Sequence, residues 1–223
     1  MRKVFSIVVA SMALSFLSFT SSMAELSMGV SLSHGVYKAS GSENEDGEIT
    51  SASAENKFAY PSVFAEYNTG AVSIGVEVIP GSVTTDQASR TDLNLGDADG
   101  IGTGNDGTTS GVTNTAEVSI SKHITLYGLL PIMDSGAYLK AGISNMDVKT
   151  NESLATGSTY GDVEGVQGVH ASLGYQHDTG GAFFRAEIGY SEYDNVSVKG
   201  SNSHTVQADI EGKYARISIG HTF

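Results

Sequence analysis

Eight stretches in which apolar and polar residues alternate run from Leu26 to Phe223, and the connections between them are short and long in turn. Successive side chains of a strand point to opposite faces, so a period of two marks a sheet with two unlike faces. Leu26, Met28, Val30, Leu32 and Val36 share one parity in the first stretch, Val63, Ala65 and Tyr67 in the second, and Val72, Ile74, Val76 and Val78 in the third. The fourth carries Val118, Ile120, Ile124 and Leu126, and the fifth Ala137, Leu139, Ala141 and Ile143. The sixth carries Val169, Ala171, Leu173 and Tyr175, the seventh Phe184, Ala186, Ile188 and Tyr190, and the eighth Ala215, Ile217, Ile219 and His221 before the closing Phe223. Lys122 falls on the apolar parity of the fourth stretch, a misfit that either a lysine snorkelling to an interface or a bulge accommodates.

Asn68-Thr69-Gly70, Pro131 to Gly136 and His177 to Gly181 are short turn signals. The other connections, Lys38 to Lys57, Pro80 to about Val112, Lys149 to Val163 and Asp194 to Thr205, are polar and read as loops. An even strand count with this alternation predicts an all-β, eight-stranded antiparallel up-and-down transmembrane β-barrel, with three turns in the periplasm and four loops outside. Its last strand, Ala215 to Phe223, is expected to pair with Leu26 to Tyr37 and close the sheet.

The amino terminus fits export. Met1-Arg2-Lys3 precedes an apolar run from Val4 to Phe19, and Ser22-Met23-Ala24 is a small-x-small site, so residues 1–24 read as a signal peptide and 25–223 as one barrel domain. Without Arg2 and Lys3 the 12 basic residues become 10 against 25 acidic ones, a formal charge of −15 that makes nucleic acid a poor partner. The chain has no cysteine, so no disulfide framework supports it. After the signal no run reaches the roughly 18 apolar residues of a spanning helix, whereas a barrel strand needs only about 9 to 11 alternating residues.

The parity opposite the apolar one is crowded with Gly and Ser, as a narrow lumen filled by side chains requires. It also carries Glu66, Glu77 and Glu187 with Lys140, Arg185 and Arg216, all within the lower two-thirds of the crossing. Three acids and three bases at similar depth are expected to pair as a structural network that plugs a polar lumen, with Glu77 and Glu187 facing Arg216. Outward Tyr67, Tyr175, Phe184 and Phe223 lie near the short-turn ends, where an interfacial girdle belongs, and Tyr190 near the other rim.

On the signal peptide, the eight strands and the terminal Ala215 to Phe223 segment, the chain resembles the small outer-membrane β-barrels of Gram-negative bacteria, the OmpA, OmpX and opacity-protein group. The resemblance implies a cell outer membrane location, contact with outer-membrane lipid and lipopolysaccharide, and handling by the barrel-assembly machinery through the terminal aromatic strand. An aromatic is more usual in that group where this chain has His221. The group includes anchors, adhesins, immune-evasion proteins and a few enzymes, so it implies activity poorly.

Chemistry finds few candidates. His170-Ala171-Ser172 has the His-x-Ser spacing of a lipid A deacylase, with Glu164 nearby, but both side chains share the lumen parity, away from acyl chains. His170 and His123 read instead as hydrogen-bonded lumen fillers. Asp97 to Gly107 offers oxygen ligands without the full calcium-loop pattern, and Glu43, Glu45, Asp46 and Glu48 form an acidic run that suits solvent. Asn151-Glu-Ser153 and Asn195-Val-Ser197 match a glycosylation triplet that a bacterial setting empties of meaning. No cofactor or metal is expected. The chain reads as a monomeric, non-enzymatic barrel serving envelope structure or surface interaction through its loops, toward an extracellular partner the sequence does not name. A small diffusion pore and a lipid A-modifying enzyme are the alternatives.

Overall fold

The alternating segments form strands, and each short connection is built from residues suited to its turn. Gly180 and Gly181, with φ of 63° and 97°, make a two-residue hairpin whose positive φ values match the strand twist. At the first turn the Gly70 amide donates to Asn68 Oδ1 at 2.7 Å, and the Thr69 amide to the Val72 carbonyl at 2.9 Å. The computed structural model describes residues 25–45, 48–93, 111–154, 159–201 and 205–223. Residues 1–24, which the sequence reads as a signal peptide, and the Asp97 to Gly107 segment lie outside these, as do the side chains of Glu43, Glu45, Asp46 and Glu48.

Ten strands result: β1 (Glu25–Glu45), β2 (Glu48–Asn68), β3 (Ser73–Val78), β4 (Ser82–Thr84), β5 (Ala88–Leu93), β6 (Gly111–Pro131), β7 (Ala137–Ser153), β8 (Val163–Thr179), β9 (Ala182–Lys199) and β10 (Thr205–Thr222). The third stave is broken into β3, β4 and β5, the last two pairing with β6, so ten strands make eight staves. Every pairing is antiparallel. β10 pairs with β1 from Ser27–Thr222 onward and β3 pairs with β6, which closes the ring. The expected contact between the chain's last strand and its first is present, and the Phe223 amide donates to the Leu26 carbonyl at 2.8 Å.

Two features depart from the sequence reading. The strands run to 17–21 residues in seven of the eight staves, well beyond the roughly 9 to 11 that cross a bilayer. Lys38 to Lys57 is therefore largely a hairpin, with β1 and β2 paired out to Glu45–Glu48. Its Ser and Ala alternation hides a strand because its outer face meets water and its inner face is small. The Pro80 to Val112 region likewise contains β4 and β5, and the other two loops are shortened by strand extension.

The second departure is a set of bulges. On β6, Lys122 and His123 face the single Met146, and Lys122 has φ of 51°. On β8, Glu164 and Gly165 face Asp147, with Gly165 at φ 71°. On β9, Asp194 and Asn195 face Asp209. Each extra residue exchanges the two faces of the strand above it. Val118 and Ile120, expected on the lipid face, consequently point inward. Of the two explanations for Lys122, the bulge is the one the structure takes.

Among the described residues the ring is also incomplete above the membrane half. β2 pairs with β3 only from Val63–Val78 to Asn68–Ser73. Extending that register by two residues would set Pro61 against Pro80, and neither has an N–H to donate. There the Ile79 amide turns to the His123 carbonyl at 3.1 Å, and the chain follows β6 instead. Among the described residues, β2 has no sheet partner on that side above this point.

Candidate functional site: a filled lumen

Period-two alternation sends one face of each stave into a lumen too narrow for anything but side chains. Large inward rings lie over inward glycines of neighbouring strands. A Cβ on Gly75 would collide with Tyr127, one on Gly174 with Tyr138, and one on Gly220 with Phe183. The glycines thereby make room for aromatics in a barrel of this width. Phe64 and Phe183 floor the lumen with ring centroids 6.2 Å apart.

Above that floor the structure brings the six charged residues together in two groups. Arg185 forks onto Glu66, Nη1 to Oε1 at 2.5 Å and Nη2 to Oε2 at 2.7 Å, while its Nε donates to Gln176 Oε1 at 2.6 Å. Tyr127 Oη adds a 2.7 Å bond to Glu66 Oε1, and the guanidinium lies 4.4 Å from the Phe183 ring centroid. In the second group Arg216 donates from Nη1 to Glu77 Oε2 at 2.6 Å and from Nε to Ser33 Oγ at 2.8 Å. Lys140 bridges Glu77 at 3.2 Å and Glu187 at 3.5 Å, and Arg216 stands 3.7 Å from Glu187. Lys140 also sits 3.9 Å over the Tyr127 ring. Glu66, Glu77 and Glu187 are buried, as are Arg185 and Arg216. Three opposite pairs leave the group neutral, and forked or shared hydrogen bonds satisfy most of the charge, which is what burial demands.

Outside the same staves, Leu26, Met28, Val30, Leu126, Leu139, Leu173, Ile188 and Ile217 stand exposed, Ile188 with 65% of its surface open. Tyr67, Tyr175, Phe184 and Phe223 also point out at the short-turn end. An apolar belt around a charged interior is stable only with hydrocarbon outside. This is an outer-membrane-type β-barrel. Closed barrels of this build span bacterial outer membranes, and that is the location the barrel's surface fits.

From the level of the bulges upward the barrel's polarity inverts. Tyr37, Tyr60, Ile79, Met146, Val148, Val166, Tyr193 and Val196 form a buried cluster within the staves, with Phe58, Val118, Ile120, Val198 and Ile210 packed on it. Tyr37 stacks on Phe58 with centroids 4.7 Å apart, and its hydroxyl shares a 2.8 Å bond with that of Tyr60. The lumen is polar only in its lower part, a correction to the polar lumen expected from sequence. The signal was present: Met146 and Val148 keep the parity of Lys140, and Tyr37 and Tyr60 that of Ser33 and Ser62.

Between the two zones lies an enclosed space of about 20 Å³ lined by Glu77, His123, Lys140, His170, Ser172 and Arg216 among others. It is enough for one water. His170 shares a 2.7 Å hydrogen bond from Nδ1 with Ser191 Oγ, and His123 meets the His170 ring edge-on at 6.0 Å. His123 Nδ1 and His170 Nε2 find no protein partner among the described residues, and both rings line this space. Ser172 is buried in the lumen and Glu164 is exposed in the β8 bulge, so His170, Ser172 and Glu164 do not assemble. Among the described residues no three His, Cys, Asp or Glu stand close enough to hold a metal.

No family model and no curated protein matches the chain. Among solved structures the barrel is similar to the outer membrane protease OmpT from Escherichia coli, at 12% identity over 92% of this chain and 100% of that one, with a TM-score of 0.49. Neisserial surface protein A is similar over 86% of this chain and 97% of its own, at 12% identity and a TM-score of 0.44. Ail, the attachment invasion locus protein of Yersinia pestis, is similar over 84% and 98%, at 12% identity and a TM-score of 0.34.

Proposed function

We propose that the chain is a non-enzymatic, non-conducting barrel of the outer membrane whose closed membrane half holds extracellular strand hairpins above the lipid for envelope structure or surface interaction. The observation that carries this reading is the double filling of the lumen, by neutralised charges below and by an apolar cluster above, with space for about one water between them. A permeant solute would have to break buried ion pairs and then cross a packed apolar plug. The engagement of His170 with Ser191, and the separation of Glu164 from the lumen, support the absence of a lipid-cleaving centre. The paired extension of β1 and β2 gives the displayed surface a strand frame in place of loose loops.

Planar-bilayer recording of the refolded protein tests the proposal. No single-channel steps are expected at neutral pH, and reproducible steps would overturn it. Incubation with lipid A followed by mass spectrometry of the lipid should show no shortened product.

A further inference from the structure

Register builds a small polar chamber at the level where the lumen changes character. His170 on β8 pairs with Ser191 of β9 on one side and with Gly142 of β7 on the other. Ser191 takes its Nδ1 at 2.7 Å, while Gly142 contributes no side chain and leaves room beside the imidazole. A Cβ on Gly142 would stand 2.6 Å from the Leu126 carbonyl oxygen and 2.8 Å from the Tyr127 Cβ, so the position has to stay bare. His123, the inward residue of the β6 bulge, reaches the same chamber from two strands away, and Ser172 lines it from β8.

Three polar atoms of this lining are shut off from bulk water and have no protein partner among the described residues: His123 Nδ1, His170 Nε2 and Ser172 Oγ. Buried polar atoms left unbonded are costly, and a buried water typically makes about three hydrogen bonds to such atoms. The chamber, at about 20 Å³, holds one. The surrounding charges decide against an ion. Lys140 and Arg216 are set against Glu77 and Glu187 at 2.6 to 3.7 Å, which leaves no net charge to draw one in. Two imidazole nitrogens and a hydroxyl call for a ligand that both donates and accepts, as water does.

We infer that His123 Nδ1, His170 Nε2 and Ser172 Oγ form a binding site for one resident water, sealed between the ion pairs and the apolar cluster. The inference rests on the closed-lumen reading. The water joins two imidazoles that do not bond to each other and so ties the β6 bulge to β8 across β7. Its exits are blocked: Tyr193 stands edge-on to His170 at 5.7 Å above it, beside the 2.8 Å bond between Tyr37 and Tyr60, and the paired Lys140 and Arg216 stand below. The water therefore stays far longer than the protein takes to tumble.

Deuteron relaxation dispersion on the full refolded chain in detergent micelles counts waters held in this way, and a crystal structure of the same protein locates them. Wild type should hold one long-lived water more than Ser172→Val and one more than His123→Leu, since each variant removes a partner and turns methyl groups toward the chamber. The crystal should show one ordered oxygen within hydrogen-bond distance of both His123 Nδ1 and His170 Nε2. Equal counts in wild type and both variants, an ion with anomalous scattering in the chamber, or two imidazoles bonded directly to each other would each overturn the inference. Heat-modifiable migration on a gel shows whether each variant folds, and if neither does, the wild-type crystal alone decides. Planar-bilayer recording keeps the two levels apart: single-channel steps overturn the closed-lumen reading, whereas a silent barrel with no long-lived water at this place overturns only the site.

Discussion

Arg185 shows what the lumen asks of a single side chain. Its guanidinium is buried among Phe64, Tyr138 and Phe183, and Glu66 supplies its only counter-charge within 4 Å among the described residues. Replacing Glu66 by Ala strands that cation, which costs about 3 to 5 kcal/mol. Urea unfolding of the refolded barrel should show a loss of this size, and Glu66→Ala with Arg185→Met should recover most of it. Gly174 makes a second case, because Gly174→Val would drive a side chain into the Tyr138 ring. Overpacking of this kind costs about 1 to 3 kcal/mol, readable as a lowered unfolding midpoint. All six charges could be found in the sequence because each occupies the Gly/Ser parity of its strand. Which acid meets which base could not, since partners such as Glu66 and Arg185 lie 119 residues apart and meet only through the barrel's stagger.

At the scale of elements the bulges matter most, and Asp147 ties two of them. Its Oδ2 meets Lys122 in the β6 bulge at 2.7 Å, and its Oδ1 accepts the Gly165 amide of the β8 bulge at 3.0 Å. Asp147→Ala should remove both contacts and loosen the upper half, visible as faster amide exchange in β6 to β8 above the bulges. Deleting Lys122 should do more: it restores a regular ladder and swings Val118 and Ile120 out into water, so protease should cut the extracellular half while the membrane half resists. The strand positions, turns and ring closure were legible because lipid on one side and a tight lumen on the other enforce a strict period of two. The bulges were not, since one inserted residue leaves that period intact on either side and changes only its phase. Lys122 was the trace it left, a charge on an apolar parity.

Across the whole molecule, inside and outside exchange character with height. Near the short turns the barrel is apolar outside and charged within, and above the bulges it is apolar within and polar outside, as a water-soluble barrel would be. The chain has no tryptophan, so introduced ones report cleanly. In vesicles of lipid brominated in its tails, Ile188→Trp should be quenched and Val198→Trp should not. Equal quenching would place the upper cluster in the bilayer and contradict this division. The seam between Pro61 and Pro80 bears on the same two zones. A cylinder slit part of the way down does not deform like a whole one. Among the described residues, the β1–β2 hairpin is free of β3 above Val63 and Val78 and can lean about that point, while the six pairs from Val63–Val78 to Asn68–Ser73 keep the wall shut. The width of the mouth and the seal across the bilayer are thereby mechanically independent, so the outer end can adapt its shape without opening a leak.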